Sequence, residues 1–179
     1  RHLMFEVEVL AASREVPRAI TLLSDWIGTH PRDRRAVLHR SALALRDGQQ
    51  ELAEFDETRL PSVAEVRSPG EGGALVFVIR RGPRPARALD VAYALFRRFP
   101  DDHEAHRALV ACVFDPSASQ LTIERPTRVG AGAAVHVRRL DGPPRWVYVE
   151  SEANPVASRD EYSSTHEFVR AMWGLAAGE

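Results

Sequence analysis

Two stretches 69 residues apart carry one pattern, and no other feature of this 179-residue sequence restricts its fold as strongly. Ala19-Ile20-Thr21-Leu22-Leu23-Ser24-Asp25-Trp26-Ile27 and Ala88-Leu89-Asp90-Val91-Ala92-Tyr93-Ala94-Leu95-Phe96 place apolar residues at the same six positions, with helical spacing. Each stretch then reaches a proline, Pro31 or Pro100, followed by Asp33 or Asp102 and by Ala36 or Ala105. Apolar spacing alone is common to amphipathic helices, but the recurring Pro-x-Asp-x-x-Ala is far more restrictive. It predicts helix–turn–helix units in which proline stops one helix and the carboxylate sits in the first turn of the next. Alanines 19, 36, 88 and 105 would form the seams where antiparallel helices approach closely. The pattern predicts helices over 15–28, 33–46, 49–57, 69–81, 85–98 and 102–114, with Ala53 beginning the second helix of a degenerate middle copy. Ser68-Pro69-Gly70-Glu71 matches a capping box with proline at the first helical position, so Val76-Phe77-Val78-Ile79 reads as helix despite its β-branched residues.

Composition excludes several classes. With 44% hydrophobic residues the chain is not wholly disordered, and no apolar run approaches the roughly 18–20 residues of a membrane span. No secretory leader opens it, and a single cysteine, Cys112, excludes an intrachain disulfide framework and a multi-cysteine zinc module. The default reading is cytoplasmic. All 24 basic residues are arginine, yet the net charge is −1, which argues against a dedicated nucleic-acid binder. The chain starts without an initiator Met and ends as if approaching another strand, so it reads as a fragment of something longer.

From Gln120 the pattern changes to alternation and turns. Leu121-Thr122-Ile123 is a short β-like run. Ala133–Arg138 and Arg145–Glu150 read as strands of a hairpin, joined by the turn Leu140-Asp141-Gly142-Pro143-Pro144. An acidic loop over Ser151–Asp160 precedes Ser164-Thr165-His166-Glu167, a second capping-box candidate, and a short helix Phe168–Trp173 closed by Gly174. The expected fold class is therefore α+β: a helical repeat region over 1–118 and a small α+β domain over 119–179.

The 69-residue offset is about twice the 34-residue period of tetratricopeptide (TPR) repeats. The tail is similar to the C-terminal domain of bacterial Gre transcript-cleavage factors. The residues carrying that likeness are Val129-Gly130 into Ala134-Val135-His136-Val137, then Tyr148-Val149-Glu150, Glu161-Tyr162-Ser163-Ser164, Ala171-Met172-Trp173-Gly174-Leu175 and Gly178-Glu179. That resemblance implies an FKBP-like domain able to contact RNA polymerase, without the N-terminal coiled coil of Gre factors. Together with Leu60-Pro61-Ser62-Val63 and the Ala88–His106 stretch, the chain resembles the bacterial TPR–GreAB-C–PIN family of conflict or defence loci. By resemblance it would be a non-catalytic interaction or regulatory module of a larger protein, in which a PIN-type RNase (a toxin-like activity) lies outside this chain. Its partner would be a protein held on the helical surface, with RNA polymerase a further candidate, and neither membrane nor cofactor. The alternatives are a Gre-like elongation factor acting on polymerase directly and an FKBP-like prolyl isomerase, though no aromatic-lined pocket is readable.

No catalytic or metal residues are assigned. Asp101-Asp102-His103-Glu104-Ala105-His106 is the densest metal-capable cluster, but His103 and His106 lie at i, i+3, and an acidic first turn explains them equally. Arg80, Arg81, Arg84 and Arg87 would form either a phosphate-contacting patch or a solvated helix face. Trp146 and Tyr148 alternate with Val147 and Val149, as an exposed binding anchor or as core beneath the last helix. Cys112 reads as a small buried hydrophobe, Gly130-Ala131-Gly132 as a turn, and Asp115 and Glu124 as carboxylates without a pattern.

Overall fold

A computed structural model describes residues 2–114, 126–138, 142–151 and 154–176. Among these residues the chain is mixed α+β, with seven helices and one three-stranded sheet. It divides into two compact units, Arg1–Leu121 and Thr122–Glu179. The boundary expected at 118/119, the run Leu121–Ile123, Asp115, Glu124, Leu140-Asp141 and Gly178-Glu179 lie outside the described residues.

The first unit contains α1 (His2–Ala12), α2 (Val16–Thr29), α3 (Arg34–Arg46), α4 (Pro69–Arg81), α5 (Arg87–Arg98) and α6 (His103–Val113). The recurring motif builds the same turn twice. After α2, His30 adopts φ −129°, ψ 64°, and after α5, Phe99 adopts φ −129°, ψ 65°. Their amides donate to Trp26 and Leu95 carbonyls, and the amides of Asp33 and Asp102 then donate to His30 and Phe99 carbonyls at 3.0 and 3.1 Å. Each aspartate is the N-cap of the following helix and accepts from the alanine three residues on, Ala36 or Ala105. Such a cap satisfies amides that the first helical turn leaves without a partner. Ala19, Ala36, Ala88 and Ala105 are all at most 1% exposed, so α2 packs on α3 and α5 on α6 along small-residue seams.

α4 joins the two hairpins by packing on α3, α5 and α6. Ser68 caps it as expected, accepting from the Glu71 amide, and Val76–Ile79 is helical. Gly72 in α4 is required by close approach, because an added Cβ would overlap the fully buried Leu95 side chain, whereas the neighbouring Gly73 faces open space. Gly72→Ala is expected to destabilise by about 1–2 kcal/mol through overpacking, and Gly73→Ala to stabilise by up to about 1 kcal/mol through helix propensity. Urea unfolding of the two variants should therefore shift in opposite directions.

Two expectations are corrected in this unit, and one helix is added. The helix over 49–57 is absent: only a single 3₁₀ turn, Gln50–Leu52, forms, and Ala53 is extended rather than helical. The Ser41 hydroxyl accepts from the Glu54 amide, and the Asp56 carboxylate accepts from both the amide and hydroxyl of Thr58, so side chains divert the backbone from helical bonding. The segment still packs against the core through the half-buried Leu52 and Phe55, and the chain beyond it adds the buried Leu60 and Val66. Helix α1 has no counterpart among the expected elements; its apolar residues are spread around the helix, with Val7 buried and Phe5 and Val9 exposed.

The second unit is built on β1 (Ala134–Val137) and β2 (Arg145–Glu150), paired antiparallel with Val135 opposite Val147. Gly132, at φ +78°, donates to the Val149 carbonyl while the Val149 amide donates to Ala133. This is a β-bulge whose first residue needs glycine's left-handed conformation. A third strand, β3 (Glu161–Ser163), runs parallel to β2 between the expected loop and the expected cap, where the sequence pattern gives no strand. Val147, Val149 and Tyr162 share one sheet face, and Tyr162 meets Phe168 of α7 (Glu167–Met172) at 5.8 Å. The cap of α7 is His166, whose Nδ1 accepts from the Phe168 amide, not Ser164 of the expected capping box.

Candidate functional site

Four helices of the first unit, α1, α3, α4 and α6, line a continuous furrow; α2 and α5 contribute nothing to it. One end, of about 340 Å³, lies among Met4, Glu8 and Ala11 of α1, Arg35, His39 and Arg46 of α3, and Glu71 and Ala74 of α4. The other, of about 170 Å³, lies among Gly73, Phe77 and Arg80 of α4 and Glu104, Arg107, Ala108 and Ala111 of α6. Arg46, Gly70 and Ala74 line both, which makes the two one surface. Alanines and glycines on the inner helices leave the space; charged side chains stand along its walls.

The best-fixed of these is Glu71. Its side chain is only 2% exposed, accepts from Arg35 Nε at 2.5 Å, and accepts from the Arg67 amide at 2.8 Å. It thus ties α3, the chain entering α4 and α4 itself. Arg46 and Arg81 both place their guanidinium carbons 5.7 Å from the centre of the Phe77 ring, within cation–π range. Asp33, at the mouth of the first turn, accepts from the Trp26 indole at 2.9 Å. Burial alone would raise its pKa, but the bonds from Trp26 and from the Ala36 and Arg35 amides, with the Arg35 charge, hold it below the usual carboxylate value.

His39 lies in the furrow wall, and burial holds its imidazole below the ordinary value; Arg35 acts in the same direction while Glu71, Glu8 and Asp33 oppose. A base whose pKa is lowered by folding binds protons more weakly in the native state. Its contribution to stability is therefore complete above the unfolded-state pKa near 6.5 and declines as pH falls through that value. His39→Gln is expected to flatten the loss of stability between about pH 7.5 and about pH 5.5, measured by urea unfolding at each pH. An unchanged slope would contradict this assignment.

The sequence-derived candidates are dispersed. Arg80 lines the furrow and donates to the Ala111 carbonyl at 3.0 Å, while Arg81 lies by Phe77. Arg84 and Arg87 instead pair with Glu57 at 3.3 and 3.6 Å, and Arg87 also with Asp90 at 3.0 Å. The four do not form a single unpaired phosphate-contacting patch, because carboxylates from the loop and α5 neutralise two of them. His106 Nε2 lies 2.6 Å from the Pro100 carbonyl, and its ring lies 4.9 Å from that of Phe96, while His103 approaches Glu104. Asp102 is occupied as a cap, and among the described residues no group of three metal-capable side chains occurs. Cys112 is buried in the helical unit.

In the second unit, Trp146 and Tyr148 are 53% and 46% exposed, on the sheet face opposite Val147 and Val149. The His136 ring lies 4.9 Å from Trp146, its cross-strand neighbour. Sequence reasoning misses the furrow residues Arg35, His39, Arg46, Glu71 and Phe77. The available signal was the row of small residues Gly70, Gly73 and Ala74, with Ala108 and Ala111 in α6, which lie on one face at i, i+3 and i+4 spacing. No helix is long and apolar enough to cross a membrane among the described residues. Comparison with known proteins gives no match to a family model, to a curated protein or to a solved structure.

Proposed function

We propose that this chain is a non-catalytic protein-interaction module that holds a peptide segment of a partner along the furrow of its helical unit. The observation that carries this reading is the furrow itself, continuous over α1, α3, α4 and α6 and walled by small and charged side chains together with Phe77. The twice-built helix–turn–helix supports a TPR-like arrangement, in which α1, α3, α4 and α6 are the inner helices and the middle copy has lost one helix to the chain around Gln50–Leu52. The hairpin and short helix of the second unit support a Gre-type, FKBP-like C-terminal domain. On that reading the chain is the regulatory part of a larger TPR–GreAB-C–PIN-type protein.

Display of random linear peptides against the full chain tests the furrow. Selected peptides are expected to bind the wild type and to lose at least about tenfold in affinity against Ala74→Trp, which places an indole where the two halves of the furrow meet. Selected peptides that bind Ala74→Trp as tightly would overturn the proposal.

A further inference from the structure

Among the described residues β1 is an edge strand: the sheet order is β1-β2-β3, and β2 occupies only one of its sides. The Val149 amide bonds the Ala133 carbonyl, so Ala133 lies in a hydrogen-bonded pair with β2, and the alternation of antiparallel ladders places Val135 and Val137 likewise. Ala134 and His136 therefore direct their N–H and C=O groups away from the sheet. Along this side runs a groove of about 930 Å³, larger than either part of the helical furrow. Its apolar walls include Val135 and Val137 from the strand and Phe168, Met172 and Leu175 from the region of α7.

The charge of the groove is one-sided. Arg128, His136 and Arg138 line it, and no carboxylate does among the described residues. Arg128 uses one amino group to donate to the Gly174 carbonyl at 2.7 Å, leaving further guanidinium donors for a ligand. A second copy of the same strand would bring these cations onto like charges, which disfavours pairing of two β1 edges.

We propose that β1 takes up an extended, acidic segment of a partner protein as an added fourth strand. Its main chain bonds to Ala134 and His136, alternate apolar side chains enter the groove toward Val137, Phe168 and Met172, and its carboxylates meet Arg128 and Arg138. Main-chain bonds then supply affinity while the pocket and the cations select sequence. This site is separate from the helical furrow and does not depend on it.

The test is fluorescence anisotropy of the full chain with a labelled octapeptide of alternating Glu and Val, beside one of alternating Arg and Val and a uridine octanucleotide. The acidic peptide is expected to bind and the other two not. Arg138→Glu, an exposed substitution that leaves the ladder intact, is expected to weaken the acidic peptide at least about tenfold. Ala134→Pro, which removes an outward N–H and leaves the bonds to β2 in place, is expected to weaken it similarly. Ala74→Trp in the helical unit is expected to bind it unchanged, so failure here and failure of the furrow are told apart. No binding of the acidic peptide, equal binding of the arginine peptide, preference for the oligonucleotide, or self-association that the peptide does not disturb would each overturn the proposal. Loss of binding in Ala74→Trp would also overturn it, by placing the peptide in the furrow.

Discussion

Glu71→Ala is expected to lower the stability of the helical unit by about 3 kcal/mol, a fall in melting temperature of about 10 °C. The carboxylate is almost wholly buried, and its removal leaves the Arg35 guanidinium without its counter-charge and the Arg67 amide without its acceptor. Breaking one side of a buried pair costs more than the pair contributes, because the remaining charge stays desolvated. Arg35 is 29% exposed and regains some hydration, which places the effect at the lower end of the range. Replacing both partners, Arg35→Met with Glu71→Leu, should recover part of the loss. Thermal unfolding followed by circular dichroism measures both; a single-variant loss below about 1 kcal/mol would show that the pair is not holding α3 to α4.

The second large effect is in the seam between α4 and α5. Leu95→Ala removes a side chain with no solvent exposure and is expected to cost about 3–5 kcal/mol, the transfer of the lost methyl groups plus the cavity left behind. The same deletion frees the space that a methyl group on the α-carbon of Gly72 would otherwise contest. Gly72→Ala should therefore be harmful in the wild-type background and neutral or favourable in the Leu95→Ala background. A double-mutant cycle by urea unfolding measures this coupling, and strict additivity would contradict the close contact of Gly72 with Leu95.

Much of the helical unit is legible in the residues themselves. Helical spacing, the proline that follows each first helix and the aspartate that caps each second one locate α2, α3, α5 and α6, and Ser68-Pro69 locates the start of α4. The segment 49–57 misleads because Gln50, Glu51, Leu52 and Ala53 favour helix locally, while Ser41 and Asp56 recruit nearby amides into other bonds. The strand β3 is only three residues long and pairs in parallel with β2, so no alternation marks it. His166 replaces Ser164 as cap because Ser164 and Thr165 form a turn after β3, closed by the His166 amide on the Ser163 carbonyl.

The furrow is hidden for another reason. Its charged walls come from α1, α3, α4 and α6, far apart in sequence, and only the packing of α4 between α3 and α6 brings them together. Arginine count alone directs attention to residues 80–87, of which Arg84 and Arg87 are committed to Glu57. Exposure of Trp146 and Tyr148 follows from strand alternation, but which face α7 covers is not written in either residue.

The most direct measurement is backbone amide chemical-shift mapping of the isotopically labelled full chain, titrated with a peptide selected against that chain and weakened by Ala74→Trp. The interaction-module account predicts shifts concentrated on α3, α4 and α6 around Arg46, Ala74, Phe77 and Ala108, with α2 and α5 largely unaffected. Shifts confined to α2 and α5, with the furrow residues unchanged, would contradict it.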